Sequence, residues 1–198
     1  MTTQSIPRTA RTDLTIAAAQ PEQDWAIRRL FHLLHSFNAG LDPRFELADG
    51  WESVLDDHLA RERTDKGSAT LLAWRGGEPV GLVMVGGHTD SPLFRHRHWA
   101  EIMALFVMPS ERGRSVAQDL LAAGFAWAHR RGYERVQLFV TATNDHARRF
   151  YRRSGFAPIQ EIWCADIGPA TTPPPVDTLC EPEFARGENL LVPTSHHS

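Results

Sequence analysis

The stretch from Ile102 to Arg131 constrains this chain more than any other. An apolar run, Ile102 to Val107, is stopped by Pro109 and crosses the polar turn Ser110-Glu111-Arg112-Gly113-Arg114-Ser115. The chain then becomes apolar at helical spacing from Val116 to about Arg131, through Leu120, Leu121, Phe125 and Trp127. The unit predicted is a strand entering a helix through a short loop. A helix N-terminus presents N–H groups without intrahelical acceptors and a partial positive charge. Gly113, Ser115 and Ala117 are small enough to let an anion such as a pyrophosphate reach the backbone. Loops of this kind also occur in purely structural settings, so the segment alone leaves function open.

A second segment narrows the choice. Residues 135–141 are rich in β-formers (Val136, Leu138, Phe139, Val140, Thr141), and Asn144 follows where a helix N-cap belongs. The helix expected over 145–154 carries Ala147, Phe150 and Tyr151, and Gly155 ends it. Together the two segments resemble the signatures of the GNAT superfamily of acyl-CoA N-acyltransferases. These are V-x-P-x-x-R/Q-x-x-G-x-G/A on a strand-to-helix turn, then N-x-x-A-x-x-F/L-Y-x-x-x-G-F. Val107, Pro109, Arg112 and Ala117 match the first, with Ser115 where glycine is usual, and Asn144 to Phe156 match the second completely. By element order the resemblance extends over about residues 14–193, and its specific part is confined to roughly fifty residues.

The remaining elements fit that order. Leu14 to Ala17 reads as a strand, and Pro21 with Glu22 opens a helix with apolar residues Trp25, Ile27, Leu30, Phe31, Leu34 and Phe37, ended by Asn38 and Gly40. A second helix is expected from Trp51 to Arg63, with Val54, Leu55, His58 and Leu59 on one side. Thr70–Trp74 and Pro79–Val85 are strands joined through Gly76-Gly77, a two-residue hairpin signal. The stretch from Gly86 to His98 holds His88, His96 and His98; with no Cys or carboxylate at ligand spacing, a solvated loop is favoured over a metal site. Further strands are expected at Trp99–Val107, Phe156–Ile167 and, after a Pro-rich loop, Asn189–Val192, with a disordered tail as the alternative for everything after Gly168. The resemblance thus implies an α/β (α+β) fold of order β-α-α-β-β-β-α-β-α-β(-β). Its sheet would be mixed and mostly antiparallel, with about six to seven strands and about four flanking helices.

Composition excludes several function classes. The net charge of -3 comes from 21 basic and 24 acidic residues dispersed along the chain, so neither nucleic acid nor an anionic membrane is an expected partner. Two cysteines, Cys164 and Cys180, are too few to staple a chain of 198 residues and fit a reducing compartment. No run approaches a membrane span, and Met1 to Thr12 lacks an apolar h-region. The expectation is a cytoplasmic protein with a disordered lead over 1–13, one domain over 14–193 including a Pro-rich loop at 168–187, and a tail over 194–198. A homodimer is compatible with this reading.

Acetyl transfer to an amine needs a cradle for the CoA pyrophosphate, a donor for the oxyanion, a base for the ammonium proton and an acid for the thiolate. The resemblance assigns the cradle to the amides of Gly113, Arg114, Ser115, Val116, Ala117 and Gln118, with charge from Arg112 and Arg114. It assigns the pantetheine and the oxyanion to the backbone of Leu105, Phe106 and Val107. Tyr151 takes the place of the tyrosine that faces the CoA sulfur, and Asn144 caps its helix and touches pantetheine or water. Glu101 stands where some relatives carry a glutamate base; beside Trp99 and Ile102 it would be partly desolvated, as a base requires. The alternatives are simpler: solvated arginines, a packing tyrosine, a capping asparagine and an ordinary glutamate at a strand entrance. The co-substrate implied is acetyl-CoA, with no metal, and the acceptor is a small amine or peptide entering among residues 32–44, the loop 86–98 and the last hairpin. There His35, Asn38, Asp42 and Arg44 could line a pocket, and Asp42, Glu46 and Asp49 would favour a cation. With no cysteine near the motif, attack is expected to be direct, in a ternary complex. An acyl-CoA-binding module without catalysis is the second hypothesis. A P-loop hydrolase is disfavoured because G-x-x-x-x-G-K-S/T is absent.

Overall fold

The computed structural model describes residues 14–165. Five strands form one sheet in chain order: β1 (Leu14–Ala18), β2 (Ser68–Arg75), β3 (Glu78–Thr89), β4 (His98–Val107) and β5 (Val136–Leu138). The first four pair antiparallel and β5 pairs parallel to β4. Helices α1 (Asp24–Leu41) and α2 (Trp51–Asp65) lie between β1 and β2 in sequence, α3 (Val116–Arg130) lies between β4 and β5, and α4 (Asp145–Arg153) follows β5. All of these fall within one compact unit, which ends at Ala157. Among the described residues no helix is long and apolar enough to cross a membrane.

Strand alternation divides the core into two layers. Leu72, Leu82, Met84, Ala104 and Phe106 pack with Ala26, Ile27 and Leu30 of α1 and Leu55 and Leu59 of α2. Ala73, Val83, Val85, Ala100 and Ile102 pack with Val116, Leu120, Leu121 and Trp127 of α3. Each fully buried large side chain here contributes roughly 1.5–3 kcal/mol of transfer free energy, so the sheet is held from both faces. Gly76 and Gly77 turn the β2–β3 hairpin with φ of 58° and 83°, values that favour glycine at both positions, as the sequence predicts.

Helix α1 departs from its expected bounds. Pro21–Gln23 form a 3-10 turn ahead of it, and the α-helix runs through Asn38 and Gly40 to Leu41. Pro43 stops it, with Asp42 extended between. Trp25 and Phe37, expected on the apolar face of the helix, are about half exposed, and Trp25 packs edge-on against Trp74 at 6.1 Å. Gly40 lies inside the helix in open space, with nothing within 4 Å of where a side chain would be, so no close approach requires glycine there.

Strand β4 carries the irregularity that shapes the site. Met84 pairs with Ala104 while Val85 pairs with Ile102, so Met103 is an extra, bulged residue. A bulge bends and twists the strand that carries it. Strand β5 follows β4 only as far as Ile102, through the pairs Ala100–Val136, Glu101–Gln137 and Ile102–Leu138. The strand expected over 135–141 therefore shrinks to three residues, and Phe139 and Val140 are exposed.

Two further expectations are corrected. Residues 156–165 form no strand, so the expected strand Phe156–Ile167 is absent over its described part; Pro158 removes a ladder donor near its start. The sheet has five strands among the described residues rather than six or seven, and the strand expected at 189–192 lies outside those residues. The histidine-bearing stretch is also less of a loop than expected. Strand β3 extends to Thr89 and β4 starts at His98, so His88 and His98 are strand residues and only His96 sits in the connection.

Candidate active site

The loop end of β4 brings together the first signature. Among the described residues no strand pairs with the β5-facing edge of β4 beyond Ile102, so the backbone groups of Leu105 and Val107 face an unpaired edge, while those of Phe106, in register with Leu82, face β3. The chain then makes a 3-10 turn at Pro109–Glu111, and Gly113 adopts φ of 79° to reverse it into α3. Gly81, opposite Val107, makes the close approach possible: a Cβ there would lie 2.8 Å from the Phe106 carbonyl oxygen and 2.9 Å from Leu120 Cδ1.

Ser115 occupies the N-cap position of α3, yet its hydroxyl caps no backbone amide. It donates to the Asp119 carboxylate at 2.7 Å instead. The first-turn amides of Val116, Ala117 and Gln118 have no acceptor one turn earlier in the helix, which leaves them available to a ligand. The two arginines behave differently from simple phosphate donors. Arg114 lies 3.2 Å from the buried Glu111 carboxylate, which also binds Arg75 at 3.0 Å. Arg112 places its guanidinium 5.6 Å from the Phe37 ring of α1. Glu111, inside the motif, was given no role by the sequence; its apolar neighbours Val107 and Met108 were the only hint of burial.

Helix α4 supplies the second signature. Asn144 Oδ1 accepts from the Ala147 N–H at 3.1 Å, a side-chain N-cap. Tyr151 is packed edge-on by Phe150 at 5.3 Å and by Phe156 at 5.6 Å, and Phe156 also reaches Phe125 of α3 at 5.7 Å. Burial pushes the Tyr151 phenol up to about 12 from 10.0. Desolvation disfavours the phenolate, so the hydroxyl stays a proton-bearing donor at any working pH.

Glu101 lies at the opposite end of β4 in a cluster that strand register creates. It pairs with Gly86, while Trp99 pairs with His88, which makes His88 and Glu101 diagonal neighbours across β3 and β4. His88 Nδ1 is 3.7 Å from Glu101 Oε2. The His88 ring stacks on Trp99 with centroids 4.4 Å apart, and the Arg135 guanidinium sits 4.8 Å from the same indole. Arg135 also donates to the His96 carbonyl at 2.7 Å. Three buried side-chain polar atoms among the described residues have no hydrogen-bond partner, and two of them, Trp99 Nε1 and Arg135 Nε, belong to this cluster. No sequence motif announces it; only a correct β3–β4 register would have found it.

The residues expected to receive an acceptor are partly engaged already. Arg44 donates to both oxygens of Asp42, at 3.0 and 2.9 Å, and these bonds hold the Asp42 carboxyl below its ordinary value. His35 packs against Phe31 with ring centroids 4.3 Å apart and planes tilted by 45°, and burial lowers its pKa, so it favours the neutral imidazole. An open depression of about 520 Å³ lies beside α1 and α2, bounded by Arg28, His32, Trp51, Glu52 and Met108 among others.

Comparison with known proteins gives this geometry a family. The Acetyltransferase (GNAT) family model matches residues 27–156. The aminoalkylphosphonate N-acetyltransferase of Salmonella typhimurium is 34% identical over 101 residues, covering 50% of this chain and 64% of that protein. An uncharacterized N-acetyltransferase of Methanocaldococcus jannaschii is 38% identical over 80 residues, 40% of this chain and 35% of its own length. The chain thus spans less than two thirds of these curated relatives. Among solved structures, the aminoglycoside N-acetyltransferase AAC(6')-Iy bound to the bisubstrate analogue CoA-S-monomethyl-acetylneamine superposes with a TM-score of 0.63 at 19% identity. That match covers 79% of this chain and 99% of the other. The BH1408 protein of Bacillus halodurans, as a tetramutant, gives 0.67 at 15%, covering 77% and 99%. Both likenesses concern the fold. The matched stretch holds four of the five strands and both signatures, and the chain belongs to the Acetyltransferase (GNAT) family.

Proposed function

We propose that the protein is an N-acetyltransferase that moves an acetyl group from acetyl-CoA to a primary amine by direct attack in a ternary complex. The observation that carries the reading is the open edge of β4 beyond Ile102, which runs without interruption into the Gly113 turn and the N-terminus of α3. An extended pantetheine arm can add to that edge as a strand would, through the backbone groups of Leu105 and Val107, with Phe106 between them bonded to β3. Its pyrophosphate then meets the amides of Gly113, Arg114, Ser115, Val116, Ala117 and Gln118. Arg112 adds positive charge, and Arg114 adds less because Glu111 already neutralises part of it.

The chemistry follows from the remaining side chains. An amine of pKa roughly 10 is almost fully protonated at neutral pH, so a base must take a proton before attack; Glu101 serves. A strand amide of β4 stabilises the oxyanion of the tetrahedral adduct. Tyr151 donates a hydrogen bond to the departing thiolate. With its phenol at about 12 and a free thiol near roughly 8.5, a shared hydrogen bond is favoured over outright proton transfer. Asn144, already capping α4, presents its remaining amide hydrogens toward pantetheine or water.

The test is turnover. The protein is incubated with acetyl-CoA and a panel containing an aminoalkylphosphonate, an aminoglycoside and a peptide with a free N-terminus, while thiol release is followed. Turnover of at least one amine is expected, and calorimetry should detect CoA binding without acceptor. No turnover with any amine, together with no CoA binding, sinks the proposal. A second reading, an acyl-CoA-binding module without catalysis, draws on Ser115 standing where glycine is usual and on Glu101 lying at the far end of β4 from the Gly113 turn. Tight CoA binding without turnover, unaffected by Tyr151→Phe, would select it.

A further inference from the structure

We infer that His88 is a positioning residue for Glu101 and the exit for the proton that acetyl transfer releases, an inference that rests on the acetyltransferase reading above. The reaction itself demands an exit. A primary ammonium carries three N–H bonds; the amide keeps one, the thiolate takes one, and the third proton has to reach water. Glu101 accepts that proton as the amine lone pair is freed and forms the new N–C bond, and the C–S bond breaks when the tetrahedral adduct collapses. Glu101 must then lose the proton before the next turnover.

Its surroundings point to the route. The Glu101 side chain is only 20% exposed, whereas the His88 side chain, 3.7 Å away, is 46% exposed. A single bridging water or a small side-chain shift closes that gap. His88 Nδ1 takes the proton from the carboxyl group while Nε2 releases one to solvent, and exchange with water restores the starting tautomer.

The imidazole is held for this purpose. It stacks at 24° on Trp99, and the Arg135 guanidinium reaches the same indole from the residue just ahead of β5, on the other side of β4. Gly86, the cross-strand partner of Glu101, has no side chain to come between the two groups. Buried donors without partners at Trp99 and Arg135 each cost stability. Such a cluster is poorly arranged for stability alone.

The experiment is a steady-state assay, with the best acceptor found, of wild type, Glu101→Gln, His88→Ala, His88→Phe and the double variant Glu101→Gln/His88→Ala. Glu101→Gln should lower kcat by about a hundredfold or more. His88→Ala and His88→Phe should each lower it by about tenfold, with KM for acetyl-CoA changed by less than about twofold. Added imidazole should restore His88→Ala, and the double variant should be no slower than Glu101→Gln, because His88 acts through Glu101. The phenyl ring keeps the stack on Trp99 but carries no proton, so full activity in His88→Phe would assign His88 to packing and overturn the inference. Additive losses in the double variant, or wild-type kcat in His88→Ala, would overturn it as well. These outcomes leave the acetyltransferase reading intact if wild type turns over. If wild type acetylates no amine, that reading falls and takes this inference with it.

Discussion

The two ends of β4 present different kinds of surface. At the loop end the groups open to a ligand are backbone amides and carbonyls, exposed by a splayed strand, a positive-φ glycine and an uncapped helix start. At the other end they are side chains, His88, Trp99, Glu101 and Arg135, gathered from three neighbouring segments of the sheet. Backbone recognition demands small residues and a defined turn, which leave a mark in a short stretch of sequence. Side-chain recognition demands register, which leaves none.

The contrast can be broken at the backbone end first. Gly81→Val should have the largest effect, destabilising the protein by about 3 kcal/mol, because the new side chain meets the Phe106 carbonyl and Leu120. Urea unfolding measures it; a loss under about 1 kcal/mol would mean that β4 and α3 can separate freely and that backbone geometry is not tightly held there.

Tyr151→Phe asks whether the cofactor end also depends on a side chain. The expected result is a drop in kcat of roughly tenfold to a hundredfold, with CoA affinity by calorimetry within about threefold. Alkaline stability supplies an independent readout. The native state favours the neutral phenol, so its contribution is intact below pH 10.0 and is lost as pH rises through about 12. Thermal melts of Tyr151→Phe should lack that part of the decline.

Asn144→Ala removes the α4 cap and should cost about 1 kcal/mol, whereas Asn144→Asp keeps an acceptor for the Ala147 amide. Wild-type CoA affinity in both variants would make Asn144 purely a cap. Weaker binding by the stable Asp variant would show that the amide touches the cofactor. The smallest effect is expected at Ser115→Gly: its hydroxyl is committed to Asp119, so CoA affinity should stay within about tenfold, one hydrogen bond's worth. A larger loss would give the cradle a side-chain ligand and blur the contrast between the two ends.

Much of the fold was legible because local chemistry dictates it. The Gly76-Gly77 turn, the strand halted by Pro109, the periodicity of α3 and the Asn144 cap are each written in a few adjacent residues, and each formed where expected. Errors fell where the outcome depends on a distant partner. Gly40 did not end α1, because a glycine costs a helix only about 1 kcal/mol; the helix runs on to Leu41, where Asp42 N–H still bonds the Asn38 carbonyl, and Pro43 stops it. Strand β5 stopped at Leu138 despite the β-formers Phe139 and Val140, because the bulge at Met103 turns its partner away.

By itself the sequence determined the family, the strand-turn-helix unit and the identity of the residues at both signatures, since these rest on turn geometry and capping within short spans. Only the tertiary structure decided the open edge of β4, the burial of Glu111 between Arg75 and Arg114, and the contact of His88 with Glu101. Each of these depends on pairing register or on packing between elements far apart in the chain. A one-residue bulge reverses which side chains share a face, and no local propensity records it.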